Sequence, residues 1–167
     1  IGTKYNKMPV CSIADMTTFS FHPVKTVTGG EGGAVLTNRE DLYEKLLLYR
    51  SHGITKDARF YQKESHGPWY HEQIDLGYNY RITDMQCALI LSQLDKLALF
   101  AKRRREIVEQ YNAAFRTMPE LFVQEEIAES DTVRHLYILR IVPERLSIDR
   151  KGFFEALGAE NIACNVH

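Results

Sequence analysis

The 167-residue sequence has few cysteines, and their arrangement argues against the structural roles that cysteine most often plays. Cys11, Cys87 and Cys164 are far apart, odd in number and form no CxxC pair. The pattern indicates neither a disulfide framework nor a zinc site. It is typical of a reduced, intracellular protein, so we expect a cytoplasmic location and no bound metal.

The chain also lacks an excess of charge of either sign. It has 21 lysines and arginines against 22 aspartates and glutamates, which gives no electrostatic reason to expect nucleic acid or an anionic membrane as a partner. The basic run KRRRE at 102–106 is a local exception that we interpret as the solvated face of a helix. No apolar run approaches the roughly 18 residues of a membrane span, and no signal peptide is visible.

The two ends of the sequence resemble cut ends. The chain begins IGTKYNKM, without an initiator methionine, and closes on NIACNVH, within a stretch typical of a β-strand. We therefore expect these residues to be a portion of a longer polypeptide.

A glycine-rich loop separates two predicted strands near the start of the chain. Residues 16–22 are rich in threonine and phenylalanine, as strands are, and Pro23 should end this strand because it lacks a backbone donor. Four of the ten glycines follow in GGEGG, and AVLT at 34–37 is the next strand. This pattern predicts an antiparallel hairpin or two strands at the edge of a larger sheet.

Two capping boxes mark the predicted starts of helices. TNRE at 37–40 opens a helix that Gly53 should stop, and TDMQ at 83–86 opens a helix whose CALIL run is apolar all round. The apolar stripe continues to Met118 as one long helix or as two with a bend near 94–99. Between the helices, residues 54–80 lose all periodicity, and loops of this length are commonly functional.

The pattern changes after Pro119. A strand at 135–142, a helix at 149–158 capped by Gly158, and a strand from Asn161 predict an α+β unit. We predict an α/β fold in which residues 1–118 belong to a large domain and residues 119–167 form an incomplete small α+β domain.

Lys25, at the end of the first predicted strand, has three interpretations. It is a surface charge, the commonest role of lysine, or a phosphate ligand beside the glycine loop, or a nucleophilic amine that forms a Schiff base. The sequence does not match a Walker loop, because the lysine precedes the glycines. It does not match the dinucleotide motif G-x-G-x-x-G either, because the third glycine is not at the required position. From the residues alone, a surface role and a functional role both stay open.

The Schiff-base interpretation explains more of the surroundings. Such an amine must be partly neutral near pH 7, so its pKa must fall from about 10.4, and burial among apolar groups lowers a lysine pKa. Phe19 and Phe21 would lie on one face of the strand, and Thr18 and Ser20 on the other. Ser20 could then point toward the phosphate of a cofactor.

Two segments carry a family resemblance. TTFSFHPVKTVTGGEGGAVLTN at 17–38 and LGYNYRITDMQCAL at 76–89 resemble the DegT/StrS family of sugar aminotransferases. The resemblance implies the fold of pyridoxal-phosphate-dependent transferases of the aspartate aminotransferase type, with the large domain followed by the start of the small domain. The wording SFHPVKT is most similar to enzymes that aminate UDP-linked 4-keto-6-deoxy sugars in surface polysaccharide biosynthesis, including that of spore coats.

The resemblance implies a role for four residues around the cofactor. Lys25 would form the Schiff base with pyridoxal phosphate and then act as the base that moves a proton. Ser20 would bond the cofactor phosphate. Asn79, with Arg81 beside it, would reach the phosphate bound in the neighbouring subunit of a homodimer. Lys25 itself argues against the dehydratase members of the family, which have histidine there.

The substrates implied are a nucleotide-linked keto-sugar and an amino-acid donor, with glutamate expected. His22 and the loop from Ile54 to Glu72 would face the sugar nucleotide. Trp69 is either a core residue or a ring beside the nucleotide base. His66 and His71 lack a third ligand for a metal, and His135 is expected to be structural.

Family members are more than twice this length, and their N-terminal half carries the aspartate that pairs with the pyridine nitrogen. Asp15 lies too close to Lys25 to be that aspartate, so we expect this portion alone to be inactive. Two alternatives stay open: a non-catalytic regulatory or ligand-binding member of the same fold, and a simple interaction domain with a solvated Lys25. The sequence does not identify the keto-sugar, the nucleotide or the carbon that is aminated.

Overall fold

The computed structural model describes residues 1–166. In this range the helices are α1 Glu40–Arg50, α2 Asp84–Leu94, α3 Leu97–Phe115 and α4 Arg150–Ala159. The strands are β1 Lys4–Tyr5, β2 Met8–Pro9, β3 Thr17–Ser20, β4 Gly33–Leu36, β5 Ile54–Thr55, β6 Glu72–Gln73, β7 Leu121–Val123, β8 Ser130–Asp131 and β9 Leu139–Ile141. No helix among them is both long and apolar enough to cross a bilayer.

The predicted hairpin is present. Strands β3 and β4 pair antiparallel in a register that runs from Thr17 opposite Leu36 to Ser20 opposite Gly33. The connection is not a tight turn, because residues 21–32 form a long loop with its own backbone hydrogen bonds. There Phe21 donates its N–H to the carbonyl of Gly32 and accepts a hydrogen bond from the N–H of Gly29. These hydrogen bonds connect the beginning of the loop that carries Lys25 to its end.

A small apolar core lies under this loop. Phe21, Val27 and Ile90 are buried in one cluster, and Val27 is 1% exposed. The partly buried side chains packed on the cluster come from the N-terminus, the hairpin, the residues before α2 and the start of α3: Ile1, Phe19, Ala34, Ile82 and Leu97. Burial of such side chains stabilises a fold by about 1.5–3 kcal/mol each, so α2 holds the loop in place.

The capping box predicted at Thr37 is wrong. The Thr37 hydroxyl donates to the carbonyl of Asp15, 2.7 Å away, and accepts from the N–H of Arg39. Helix α1 begins at Glu40 instead, with Arg39 as an N-cap that makes no side-chain capping hydrogen bond. At the other end, the N–H of Gly53 donates to the carbonyl of Leu48, which confirms Gly53 as part of the stop.

The capping box at Thr83 is confirmed. Its hydroxyl accepts from the N–H of Gln86, and the Gln86 side chain accepts from the N–H of Thr83. Of the two alternatives for the apolar stripe that ends at Met118, two helices are observed, because α2 ends at Leu94 and α3 begins at Leu97. Burial of the CALIL run on several sides is not seen within residues 1–166: Ile90 is buried, whereas Leu89 and Leu91 are 44% and 63% exposed.

The residues after Pro119 differ most from prediction. Helix α4 is confirmed, with the Asp149 carboxylate accepting from the N–H of Gly152, but Gly158 lies inside the helix and Glu160 is the C-cap. The strand predicted at 135–142 is shortened to β9, which pairs with β7. Residues 161–166 form no strand, because no backbone segment among the described residues pairs with them.

The predicted division at residue 118 remains a prediction. Strand β8 lies beyond that boundary and pairs with β1, so that Lys4 is opposite Asp131. Val133 also donates its backbone N–H to the Thr3 hydroxyl, 3.1 Å away. The N-terminal residues therefore hold the segment that precedes His135 against the larger part of the chain.

Candidate functional site

Lys25 lies on the turn after Pro23, where its backbone N–H donates to the carbonyl of His22. The residue is half-buried, and its Nζ is 3.5 Å from Nε2 of His135. Buried Phe21 and Val27 flank the turn on either side along the chain. The amine is thus held beside one specific side chain, unlike a lysine on an open surface.

His135 is the residue that sequence reasoning missed at this site. It lies 110 positions from Lys25, and no spacing within the chain signals that the two meet. Burial lowers the pKa of the His135 imidazole, and the nearby charges of Lys25, Arg104 and the amino terminus lower it further. The ring beside the lysine is therefore biased toward its neutral form.

Arg104 explains why the His135 segment lies where it does. The guanidinium Nη1 donates to the backbone carbonyls of Arg134 and His135, at 3.1 and 3.3 Å. The interpretation of 102–106 as a solvated helix face is therefore incomplete. Arg103 and Arg105 agree with the solvated-face interpretation, since they make exposed ion pairs with Glu106 and Asp131. Arg104 does not, because it is half-buried and donates to backbone carbonyls.

Ser20 ends β3 with its hydroxyl exposed, and Oγ accepts a long hydrogen bond, 3.4 Å, from the N–H of His22. The predicted alternation holds, because Thr18 and Ser20 are exposed whereas Phe19 and Phe21 are not. The hydroxyl keeps its own proton for a further acceptor. Ser20 therefore presents a hydrogen-bond donor at the end of the hairpin from which the Lys25 turn begins.

His22 is exposed, and its Nε2 lies 3.8 Å from a carboxylate oxygen of Glu31. This contact joins the start and the end of the loop that carries Lys25. Trp69 is 72% exposed, so the core interpretation of this residue is wrong. The loop around it is closed by the pairing of β5 with β6, and buried Glu72 accepts from the N–H groups of Gln62 and Lys63.

Asn79 and Arg81 are exposed and lie on a segment that is fixed to the end of α1. Asn79 forms an isolated bridge with Ser51, and Tyr80 donates its N–H to the carbonyl of Arg50. Two glycines permit this approach: a Cβ on Gly77 would lie 2.1 Å from the backbone nitrogen of Gly53. Neither Asn79 nor Arg81 makes a side-chain hydrogen bond to the Lys25 turn within residues 1–166.

The chain matches the DegT/DnrJ/EryC1/StrS aminotransferase family over residues 1–167, and it belongs to that family. It is 37% identical over 167 residues to the UDP-4-amino-4,6-dideoxy-N-acetyl-beta-L-altrosamine transaminase of Campylobacter jejuni, covering 100% of this chain and 42% of the relative. It is 36% identical over 168 residues to the spore coat polysaccharide biosynthesis protein SpsC of Bacillus subtilis, covering 100% of this chain and 43% of the relative.

The similarity to a solved structure agrees with this family assignment. Spr1654 from Streptococcus pneumoniae, described as a candidate sugar aminotransferase and solved in its PMP form, superposes with a TM-score of 0.85 at 32% identity. The match covers 99% of this chain and 42% of that chain; the same protein has also been solved in a PLP form. The predicted family and the α/β fold of the PLP-dependent sugar aminotransferases are confirmed. The chain spans about two fifths of the length of the relatives it matches.

Proposed function

We propose that this chain carries the lysine-bearing part of a pyridoxal-phosphate-dependent enzyme that transaminates a nucleotide-linked keto-sugar. The observation that carries the proposal is the half-buried Lys25 amine on the loop of the β3–β4 hairpin, in a member of a sugar aminotransferase family. The name of the Campylobacter relative supports a UDP-linked 4-keto-6-deoxy sugar as the substrate, and that of the Bacillus relative supports a role in polysaccharide biosynthesis. Glutamate is the amino donor that we propose.

The residues present fit the cofactor. A primary amine condenses with an aldehyde, and the amine of Lys25 stands beside a ring that is biased toward neutrality. An exposed hydroxyl with a free proton at Ser20 suits a phosphate oxygen. Pyridoxal phosphate, when bound, supplies the electron sink that makes the proton on the adjacent carbon removable.

The chain's own residues then have separate tasks. The Lys25 amine holds the cofactor and afterwards takes and returns a proton at the reacting carbon. The Ser20 hydroxyl donates to the phosphate and so fixes the cofactor relative to the hairpin. His22 and Trp69 are both exposed, and we assign them to the sugar nucleotide.

We propose a homodimer with shared sites, in which Asn79 and Arg81 reach the phosphate bound by the other subunit. The surface around these residues supports a partner, because Leu76 and Tyr80 are 84% and 70% exposed. Leu91 of α2 is also largely exposed. Large apolar side chains exposed together commonly mark an interface. We also propose a cytoplasmic location and a division into a large domain, residues 1–118, and a small domain that begins at residue 119. Residues 1–167 alone are expected to be inactive.

The test is an amino-transfer assay with the complete gene product. Nitrogen-15 glutamate is offered with UDP- or dTDP-linked 4-keto-6-deoxy sugars, and the product is examined by mass spectrometry. The proposal predicts a labelled amino-sugar from wild type and none from Lys25→Ala. Absence of a cofactor absorbance band and of labelled product, with the protein folded, would instead support a non-catalytic member of the fold.

A further inference from the structure

The Lys25 amine has one side-chain neighbour within hydrogen-bond reach among residues 1–166. That neighbour is His135, whose Nε2 lies 3.5 Å from Nζ, at the long end of hydrogen-bond distances. Contacts of this kind are commonly loose before the site is filled and tighten afterwards. Any role of this contact in catalysis rests on the proposed function, because it concerns the same lysine.

The backbone of His135 is fixed from two directions. Arg104 of α3 donates to the carbonyls of Arg134 and His135. On the preceding side, Val133 is buried and donates its N–H to the hydroxyl of Thr3. Because both anchors lie outside the Lys25 loop, they hold the backbone of His135 independently of the lysine side chain.

Packing alone does not explain why a histidine occupies this position. Its Nδ1 is buried and has no hydrogen-bond partner among the described residues. A buried polar atom without a partner destabilises a fold, and an apolar side chain of similar size would fill this space without that cost. The ring nitrogen that does have a neighbour is Nε2, and its neighbour is the lysine.

A neutral imidazole can serve a lysine amine in both of its protonation states. Nε2 accepts a hydrogen bond from the ammonium, and in the other tautomer Nε2–H donates to the neutral amine. The charged groups facing the ring are Lys25, Arg104 and, more weakly, the amino terminus, and all of them oppose protonation of the imidazole.

We propose that His135 is a positioning residue for the Lys25 amine. Through Nε2 it holds Nζ at the end of the hairpin whenever the amine is not bonded to the cofactor. The amine therefore stays close to the cofactor site and does not turn toward solvent. His135 contributes no bond to the cofactor in this scheme and acts only through the lysine.

The first test needs no catalysis. In the complete gene product stripped of cofactor, the His135 imidazole is titrated by NMR in wild type, Lys25→Met and the charge-keeping control Lys25→Arg. We expect a depressed pKa in wild type and in Lys25→Arg, and an upward shift toward the ordinary value of about 6.5 in Lys25→Met. An identical titration in all three variants would overturn the contact and leave the proposed function standing.

The second test separates positioning from packing. His135→Leu removes the hydrogen-bonding nitrogen, whereas His135→Gln places an amide near the position of Nε2. Tyr137→Phe is the matched control, since it removes a 2.8 Å hydrogen bond to Asn112 from the same segment. Each variant is first checked for folding by circular dichroism.

The readouts are kcat, KM and the rate at which Lys25 of the cofactor-free protein is acetylated at fixed pH. We expect kcat to fall about tenfold in His135→Leu, the effect of one ordinary hydrogen bond, with KM unchanged and the Lys25 acetylation rate altered. His135→Gln should recover most of both, and Tyr137→Phe should resemble wild type. Equal loss in the leucine and glutamine variants would assign His135 to packing and overturn the proposal.

Discussion

Ile90 of α2 lies directly against Gly29, so that a Cβ on Gly29 would be 2.8 Å from both Cδ1 and Cγ1 of Ile90. This contact seats the end of the Lys25 loop on the core formed by Phe21, Val27 and Ile90. The loop has no room for even one additional methyl group at this point. The place of the lysine therefore depends on the packing of a helix far from it in sequence.

Gly29→Ala should destabilise the protein by about 1–3 kcal/mol, the usual effect of overpacking a core. The matched control is Gly158→Ala in α4, where a Cβ meets nothing within 4 Å and the backbone is helical. That change should stabilise the protein by about 0.5–1 kcal/mol. Denaturant unfolding of the complete gene product measures both. Equal effects of the two substitutions would contradict the contact with Ile90.

Ser20→Ala should weaken binding of pyridoxal phosphate about tenfold or more, because a hydrogen bond to a charged group is lost. Thr18→Ala is the control, since Thr18 is exposed on the same face of β3 but has no assigned role. Cofactor titration followed by absorbance gives both dissociation constants. If the two variants bind equally well, Ser20 does not contact the phosphate.

The stability of the protein should depend on the protonation of His135. The pKa of this ring is lowered in the fold, whereas in the unfolded chain it is about 6.5. At pH values between the pKa of the folded state and that of the unfolded state, the unfolded chain binds the proton more readily. The free energy of unfolding therefore falls as pH drops below about 6.5.

His135→Gln lacks this group and should lose less stability than wild type between neutral pH and about pH 5. The measurement is the difference in free energy of unfolding between the two proteins as a function of pH. Curves that stay parallel across this range would show that the ring is not held in its neutral form.

Shared sites in a homodimer can be tested by mixing two inactive variants. Lys25→Ala and Asn79→Ala should each be inactive or nearly so. In a mixed dimer, one site has both defects and the other is intact, because the two residues come from different subunits. Random reassociation should thus restore about a quarter of the wild-type activity. No recovery, with mixed dimers shown by mass spectrometry, would place both residues in the same subunit's site.

The sequence was most informative where a structure depends on neighbouring residues. The Thr83 capping box forms as predicted because a few adjacent residues decide it, whereas the break between α2 and α3 is one of two alternatives that the sequence allows. Thr37 has the same spacing signal, yet its oxygen accepts from the N–H of Arg39, two positions on, and its O–H donates to the carbonyl of Asp15, 22 positions away. The same spacing therefore gives a capping box at Thr83 and a different local turn at Thr37, whose hydroxyl also makes a tertiary hydrogen bond.

Distant contacts were beyond the reach of sequence patterns. The last predicted strand fails within residues 161–166 because a strand needs a partner, and no pattern in one segment reveals whether it has one. The site divides in the same way. Lys25 and Ser20 can be proposed as site residues from the motif around them, whereas the contact of His135 with Lys25 joins residues 110 positions apart and needs the folded chain.

The central claim is that the Lys25 amine bonds to the aldehyde of pyridoxal phosphate, and reductive trapping tests it most directly. The complete gene product is incubated with the cofactor, reduced with borohydride, digested and mapped by mass spectrometry, with Lys25→Arg treated in parallel. We predict a reduced cofactor on the peptide that contains Lys25 and none in the variant. A stable adduct on a different lysine, or no adduct in a folded wild-type protein, would contradict the account.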